Sequence, residues 1–207
     1  MLPDFSEIIS RLCHIRRRRR GVVDHCPFPQ RGEVEIIVYE GAPGGPVREV
    51  IRPNLVVDLA RQMLSRLVGG ASGSPSINSG LHGVVSITAL SELLPSRMKW
   101  GNGGHDPSSP ATAIPPAASD EDIYAPINVL AAPLTTYKSV TVDYPSDTSV
   151  RFTATLLNAE GNTPGTLSEE GLFSYTGAVE LLWARSTYGL ISKSAAISLE
   201  FRHTFVW

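Results

Sequence analysis

The stretch SVRFTATLL, residues 149–157, decides how the fold is read. Val150, Phe152, Ala154 and Leu156 fall on one side of an extended chain, with Arg151, Thr153 and Thr155 on the other. Alternation with period two places one row against a core and turns the other toward solvent. The pattern recurs at 196–206 (AISLEFRHTFV), where Ile197, Leu199, Phe201, His203 and Phe205 share a side. Residues 137–144 (YKSVTVDY) alternate around Val140 and Val142, and 179–184 form a nearly continuous apolar run. These signals predict strands.

Upstream, 33–39 (EVEIIVY) reads as a first strand with Val34, Ile36 and Val38 on one face. The turn letters of 41–46 (GAPGGP) lead into a second strand at 47–51, so the two form a hairpin. Residues 53–68 (PNLVVDLARQMLSRLV) carry a helical apolar stripe of Val56, Leu59, Ala60, Met63, Leu64 and Leu67. Pro53 suits a first helical turn, and Gly69 and Gly70 end it. Short strands are expected at 84–87 and 97–100, and a flexible Gly/Ser-rich loop at 69–80. A long stretch of Gly, Pro, Ala, Ser and Asp fills 101–126. A loop of that length is unusual in a compact domain, which points to disorder or to a partner subunit that holds it. The predicted fold is mainly β: a β-sandwich of jelly-roll or immunoglobulin-like type spanning 32–207, with one packed helix at 53–68. An N-terminal interaction arm, 1–31, precedes it.

Charged residues are 18% of the 207, against roughly 25% in ordinary chains. Such a composition suits a protein that hides surface against neighbours, or a β-protein with Ser/Thr faces. The net charge of −2 does not point to nucleic acid. Arg16, Arg17, Arg18, Arg19 and Arg20 form one basic block, and the rest of the chain is acidic. The block lacks interleaved aromatics, so single-strand stacking is not suggested. An acidic protein neighbour is preferred to DNA as its contact. No apolar run approaches the ~18 residues of a membrane span. Asp4 and Glu7 stand where a signal peptide would be basic, so synthesis in a cytoplasm without export is expected.

Cys13 and Cys26 have His14 and His25 just inside them. A Cys₂His₂ zinc site would need two-to-four-residue ligand steps that are missing. A disulfide is a stronger reading than zinc, and two unpaired thiols stronger still. His105 and Asp106 follow a Gly-rich segment, but no phosphate-loop lysine, serine elbow or His-Glu-x-x-His accompanies them. A glycine-permitted turn is the better account. Asp120, Glu121 and Asp122 lack the alternating ligands of a calcium loop and read as a helix start or a solvated turn. Trp100, Trp183 and Trp207 are expected in the core or an interface. Trp100, His105 and Trp207 join the arginine block as candidate contact residues. Paired catalytic carboxylates are not evident, so no enzyme activity and no cofactor are expected.

Several segments in order carry a resemblance. They are the 54–61 segment (NLVVDLAR), 98–104 (MKWGNGG), 167–173 (LSEEGLF), 182–188 (LWARSTY), Lys193 and a last strand ending in Phe205-Val206-Trp207. Together they resemble neck, collar and tail-associated proteins of tailed bacteriophages, over residues 53–207 and excluding the arginine block. The resemblance implies a virion structural protein, assembled in the host cytoplasm as a ring-shaped homo-oligomer at the head–tail junction. Portal, connector, tail terminator or sheath proteins would be its neighbours, with no membrane involved. A tail-fibre, baseplate or capsid-decoration module binding a host receptor or glycan is the alternative. In this reading 168–171 make a turn, and 184–188 are a strand end leading to a turn at Gly189.

Overall fold

The computed structural model describes residues 31–51, 63, 76–131 and 134–206. The arginine block, Cys13, Cys26, Trp207 and the expected helix at 53–68 (Met63 apart) lie outside the described residues, as does the expected arm except for Arg31.

The chain is mainly β. Its strands are β1 (Arg31–Glu40), β2 (Val47–Ile51), β3 (Ser76–Ser79), β4 (Gly83–Ser86), β5 (Pro95–Gly101), β6 (His105–Asp106), β7 (Ser109–Ala113), β8 (Leu130–Ala131), β9 (Leu134–Thr135), β10 (Tyr137–Ser139), β11 (Thr141–Ser146), β12 (Ser149–Leu156), β13 (Thr166–Tyr175), β14 (Glu180–Ser192) and β15 (Ile197–Val206). A short 3-10 helix, Leu90–Leu93, precedes β5.

The alternating sequences build a five-stranded sheet in the order β11-β12-β15-β1-β2. β15 is central and antiparallel to both neighbours, so Phe201 faces Ala154 on one side and Ile36 on the other. His203 likewise faces Phe152 and Val34. This apolar row is the buried one, as expected. Each fully buried Leu, Ile or Phe contributes about 1.5–3 kcal/mol through loss of contact with water.

A four-stranded sheet runs β10-β5-β13-β14. Its side chains meet those of β15: Trp100 packs on Phe201 at 5.3 Å, and Trp183 meets Phe205 edge-on at 6.2 Å. Met63 is fully buried and its sulfur accepts from the Ser174 hydroxyl at 3.3 Å.

Four expectations are corrected here. Residues 168–171 are the middle of β13, not a turn. Ser168, Glu169, Glu170 and Gly171 are all buried because both faces of this strand are covered, which erases the alternation. Gly171 serves packing: a Cβ there would sit 2.6 Å from the Phe173 ring and 3.0 Å from Ile123 and Leu182. Residues 184–188 are likewise mid-strand, since β14 continues to Ser192. Residues 137–144 are two strands in different sheets. The chain switches at Val140, whose N–H donates to Ser96 O at 3.1 Å.

The segment 101–126 is the fourth. β6 and β7 form a hairpin within it, and the returning chain bridges Pro126 to Gly101. Backbone bonds tie Ile114 to Gly104, Asn102 to Ala125 and Ile127 to Trp100. The segment is therefore held by its own chain, across the face of β13 that turns away from β15.

Candidate functional site

Adjacent residues of a strand point to opposite faces. Glu169 and Glu170, both fully buried at the centre of β13, accordingly belong to two separate constellations.

Glu169 faces the 101–126 segment. Its carboxylate accepts from the backbone N–H of Gly103 (3.1 Å), Ala125 (2.9 Å) and Tyr124 (3.1 Å). It also accepts from Nε and Nη2 of Arg185, at 3.1 and 2.7 Å. Gly101 makes this approach feasible, because a Cβ there would fall 2.5 Å from Glu169 Oε1. Arg185 is itself fully buried, pairs with Asp120 at 2.6 Å and lies 3.7 Å from the centre of the Tyr124 ring. Burial disfavours its charge, but hydrogen bonds and charges from Glu169 and Asp120 outweigh that and hold its pKa above the ordinary value. Each polar group of this clamp is compensated, which is the condition under which buried ions are tolerated.

The acidic triplet extends the clamp, with each acid on a different partner. Asp120 takes Arg185, and Asp122 takes Lys99 at 3.3 Å. Glu121 accepts from Ser79 Oγ (2.6 Å), Gly80 N (2.7 Å) and Leu81 N (2.6 Å), pinning the turn between β3 and β4. Burial pushes the Glu121 carboxyl up, but those hydrogen bonds pull it below its usual value. The triplet is thus neither a helix start nor a solvated turn. Beside it, Arg97 pairs with Glu180 at 3.0 Å and sits between the rings of Tyr175 and Tyr137, at 3.5 and 3.9 Å.

Glu170 faces the other way. It meets His203 of β15 at 3.0 Å, with both side chains sealed from solvent. Tyr188 lies on the same side of the sheet. Burial, then the charges of Glu170 and Glu169 and a hydrogen bond with Glu170, raise its hydroxyl well above the ordinary tyrosine value. At the end of β14, Lys193 donates to Asn162 Oδ1 and Ser194 O at 3.0 Å and to Asn158 O at 3.3 Å. Burial lowers its pKa to about 8, opposed by Glu160.

The candidate residues named from sequence do not assemble into one site. Trp100 is fully buried in the core, where it offers no surface to a partner. His105 Nδ1 lies 2.9 Å from Ser168 Oγ, which also accepts from Gly104 N–H. Asp106 is engaged separately by the N–H and hydroxyl of Ser108. Glu169, Glu170, Arg185 and His203 were not singled out for a site. Their signal was charge lodged inside strand-forming sequence, which only burial turns into chemistry. Among the described residues, no group of three or more His, Cys, Asp or Glu is placed to hold a metal, and no helix is long and apolar enough to cross a membrane.

A groove of about 460 Å³ opens between β2 and the end of β14, lined by residues including Val38, Ile51, Leu190 and Ile197 with Arg48 and Glu49. The buried acids and bases of β13 lie elsewhere, so the cavity and the titratable chemistry do not coincide. In comparison with known proteins, no family model, no curated protein and no solved structure matches the chain.

Proposed function

We propose that this chain is a non-enzymatic structural subunit of a larger assembly, built as a β-sandwich of the two main sheets. The observation that carries the reading is the exposed strand that ends the five-stranded sheet among the described residues. β2 ends that sheet among the described residues, and its first four residues are exposed, Val47 by 57% and Val50 by 38%. An exposed terminal strand with apolar side chains is a surface suited to association. The groove beside it widens the same surface. The saturated Glu169–Arg185 clamp supports a fastening role for the buried charges, since five donors leave that carboxylate little capacity for a substrate.

On the order of its sequence motifs, the assembly we propose is the virion of a tailed bacteriophage, with a ring-forming neck or collar position. Sedimentation of the full chain tests the assembly reading. A discrete oligomer is expected, and Val47→Lys with Val50→Lys should dissociate it. A wild-type chain that stays monomeric at all concentrations would overturn it, and a particle reconstruction without this chain at the head–tail junction would overturn the placement.

A second reading, a module binding a host receptor or glycan, is favoured by Tyr124. The residue is 59% exposed while its ring rests against the Arg185 guanidinium. Aromatic faces of this kind stack on ligands. Host-cell binding by the isolated protein that Tyr124→Ala abolishes would favour it over the ring.

A further inference from the structure

Lys193 is buried, yet none of its hydrogen-bond partners is charged. Its Nζ meets Asn162 Oδ1 and Ser194 O at 3.0 Å and Asn158 O at 3.3 Å. Lysine is almost never fully buried unless it is paired with an opposite charge. An ammonium held by neutral oxygens has lost water without gaining a counter-ion, so its neutral form is favoured. The lowered pKa of about 8 has the same origin. A neutral amine has two hydrogens and one lone pair. The hydrogens serve Asn158 O and Ser194 O, and the lone pair is left for the third neighbour, the carboxamide of Asn162.

That carboxamide comes from a part of the chain 31 residues away. It is fixed from its other end, because its Nδ2 donates to Asn158 O at 2.7 Å. Glu160 belongs to the same turn and is buried there. Its Oε2 accepts from Leu157 N–H at 2.8 Å and pairs with Lys138 at 2.5 Å, and its charge acts on Lys193. Amide exchange needs a desolvated nucleophile, an electrophile held against it and a proton carrier. Lys193, Asn162 and Glu160 are of those three kinds.

We propose that Lys193 and Asn162 join in an isopeptide bond that the folded chain forms by itself. Nζ attacks Cγ of Asn162. Glu160 takes a proton from the attacking nitrogen and passes it to Nδ2. The bond between Cγ and Nδ2 then breaks, and ammonia leaves. The exchange of one amide for another consumes no oxidant and no second substrate. The chain with the bond unformed is the reactant, and only in it does Lys193 titrate. Asn162 lies in the connection from β12 to β13, and Lys193 in that from β14 to β15. Each connection passes from one main sheet to the other. The bond therefore staples two crossings together, and it closes a loop whose freedom the unfolded chain loses.

The mass of the full chain reads the reaction directly. Held folded above pH 8, where the Lys193 amine is mostly neutral, the chain should become lighter by one ammonia. Proteolysis should then give a branched peptide that joins the Asn162 and Lys193 segments. In denaturing urea the branch should not form, because the two groups are no longer held together. Lys193→Arg and Asn162→Ala should each abolish it, and folded Glu160→Gln should slow it by roughly 100-fold. Ammonia loss that persists in Lys193→Arg with no branched peptide would mark a succinimide at an asparagine and overturn the proposal. An unmutated folded chain that keeps its full mass and a Lys193 open to trypsin would do the same, whether or not the variants fold. A branch that forms at the unmutated rate in Glu160→Gln would overturn the proton-carrier step.

Discussion

The two faces of β13 treat the same side chain in opposite ways. On one face Glu169 is saturated, with three backbone donors and two from Arg185. On the other, Glu170 meets His203 and has the Tyr188 hydroxyl as its other hydrogen-bonding neighbour among the described residues. Burial is complete for both, so burial alone does not define what a charge does in a core. What differs is the number of compensating donors. Glu169 organises a long irregular segment and welds it to the sheet, whereas Glu170 links one sheet to the other through His203.

The largest test of this contrast is Arg185→Met. It strands both Glu169 and Asp120 without their cation, and a broken buried pair of this kind costs about 3–5 kcal/mol. Urea unfolding should show that loss; a cost below ~1 kcal/mol would break the contrast. Next is the comparison of Glu169→Gln with Glu170→Gln. Losing charge-assisted bonds at Glu169 should cost about 1.5–3 kcal/mol, against about 0.5–1.5 kcal/mol at Glu170. In an Arg185→Met background the Glu169 substitution should cost less than it does alone, as a double-mutant cycle would register. Equal costs at the two positions would erase the distinction.

Lys193 gives a smaller, pH-dependent effect. Its folded pKa of about 8 lies below the ordinary 10.5, so between those values the unfolded chain binds more protons. Stability from this group therefore rises with pH across that window, and the penalty of burying the charge is fully present below it. Unfolding profiles of Lys193→Met should lack that rise; an unchanged slope would remove Lys193 as its source. Smallest and most local is Glu121. Its lowered pKa means that its hold on the β3–β4 turn is present above the ordinary carboxyl value and is lost as pH falls through the folded value. Glu121→Gln should speed amide exchange at Gly80 and Leu81 with little change in global unfolding, and protection that survives the substitution would assign those amides to another acceptor.

The same contrast explains what was legible in the chain. β12, the start of β1 and β15 from Leu199 onward each have one face more exposed than the other, so their alternation could be read directly. β13 has none, and its Ser-Glu-Glu-Gly letters looked like a turn because their partners are remote: Gly103 lies 66 residues from Glu169, Ala125 44 and Tyr124 45. The 101–126 composition resembled a free loop for a related reason. Glycine at 101 admits a carboxylate to the backbone, and composition does not distinguish that use from flexibility. The alternation at 137–144 was correctly extended but wrongly continuous, since nothing local at Val140 announces a change of sheet. The candidate site was illegible for the same reason as β13: its acids acquire meaning only from what covers them.

That change of sheet has a mechanical consequence. At Val140 the backbone passes covalently from the edge of one sheet to the edge of the other, between β10 and β11. Sliding the layers past each other must therefore strain a main-chain seam as well as disturb side-chain packing. Shear applied to either layer is carried into its neighbour along bonds that do not yield, so the pair should bear tangential load as one body.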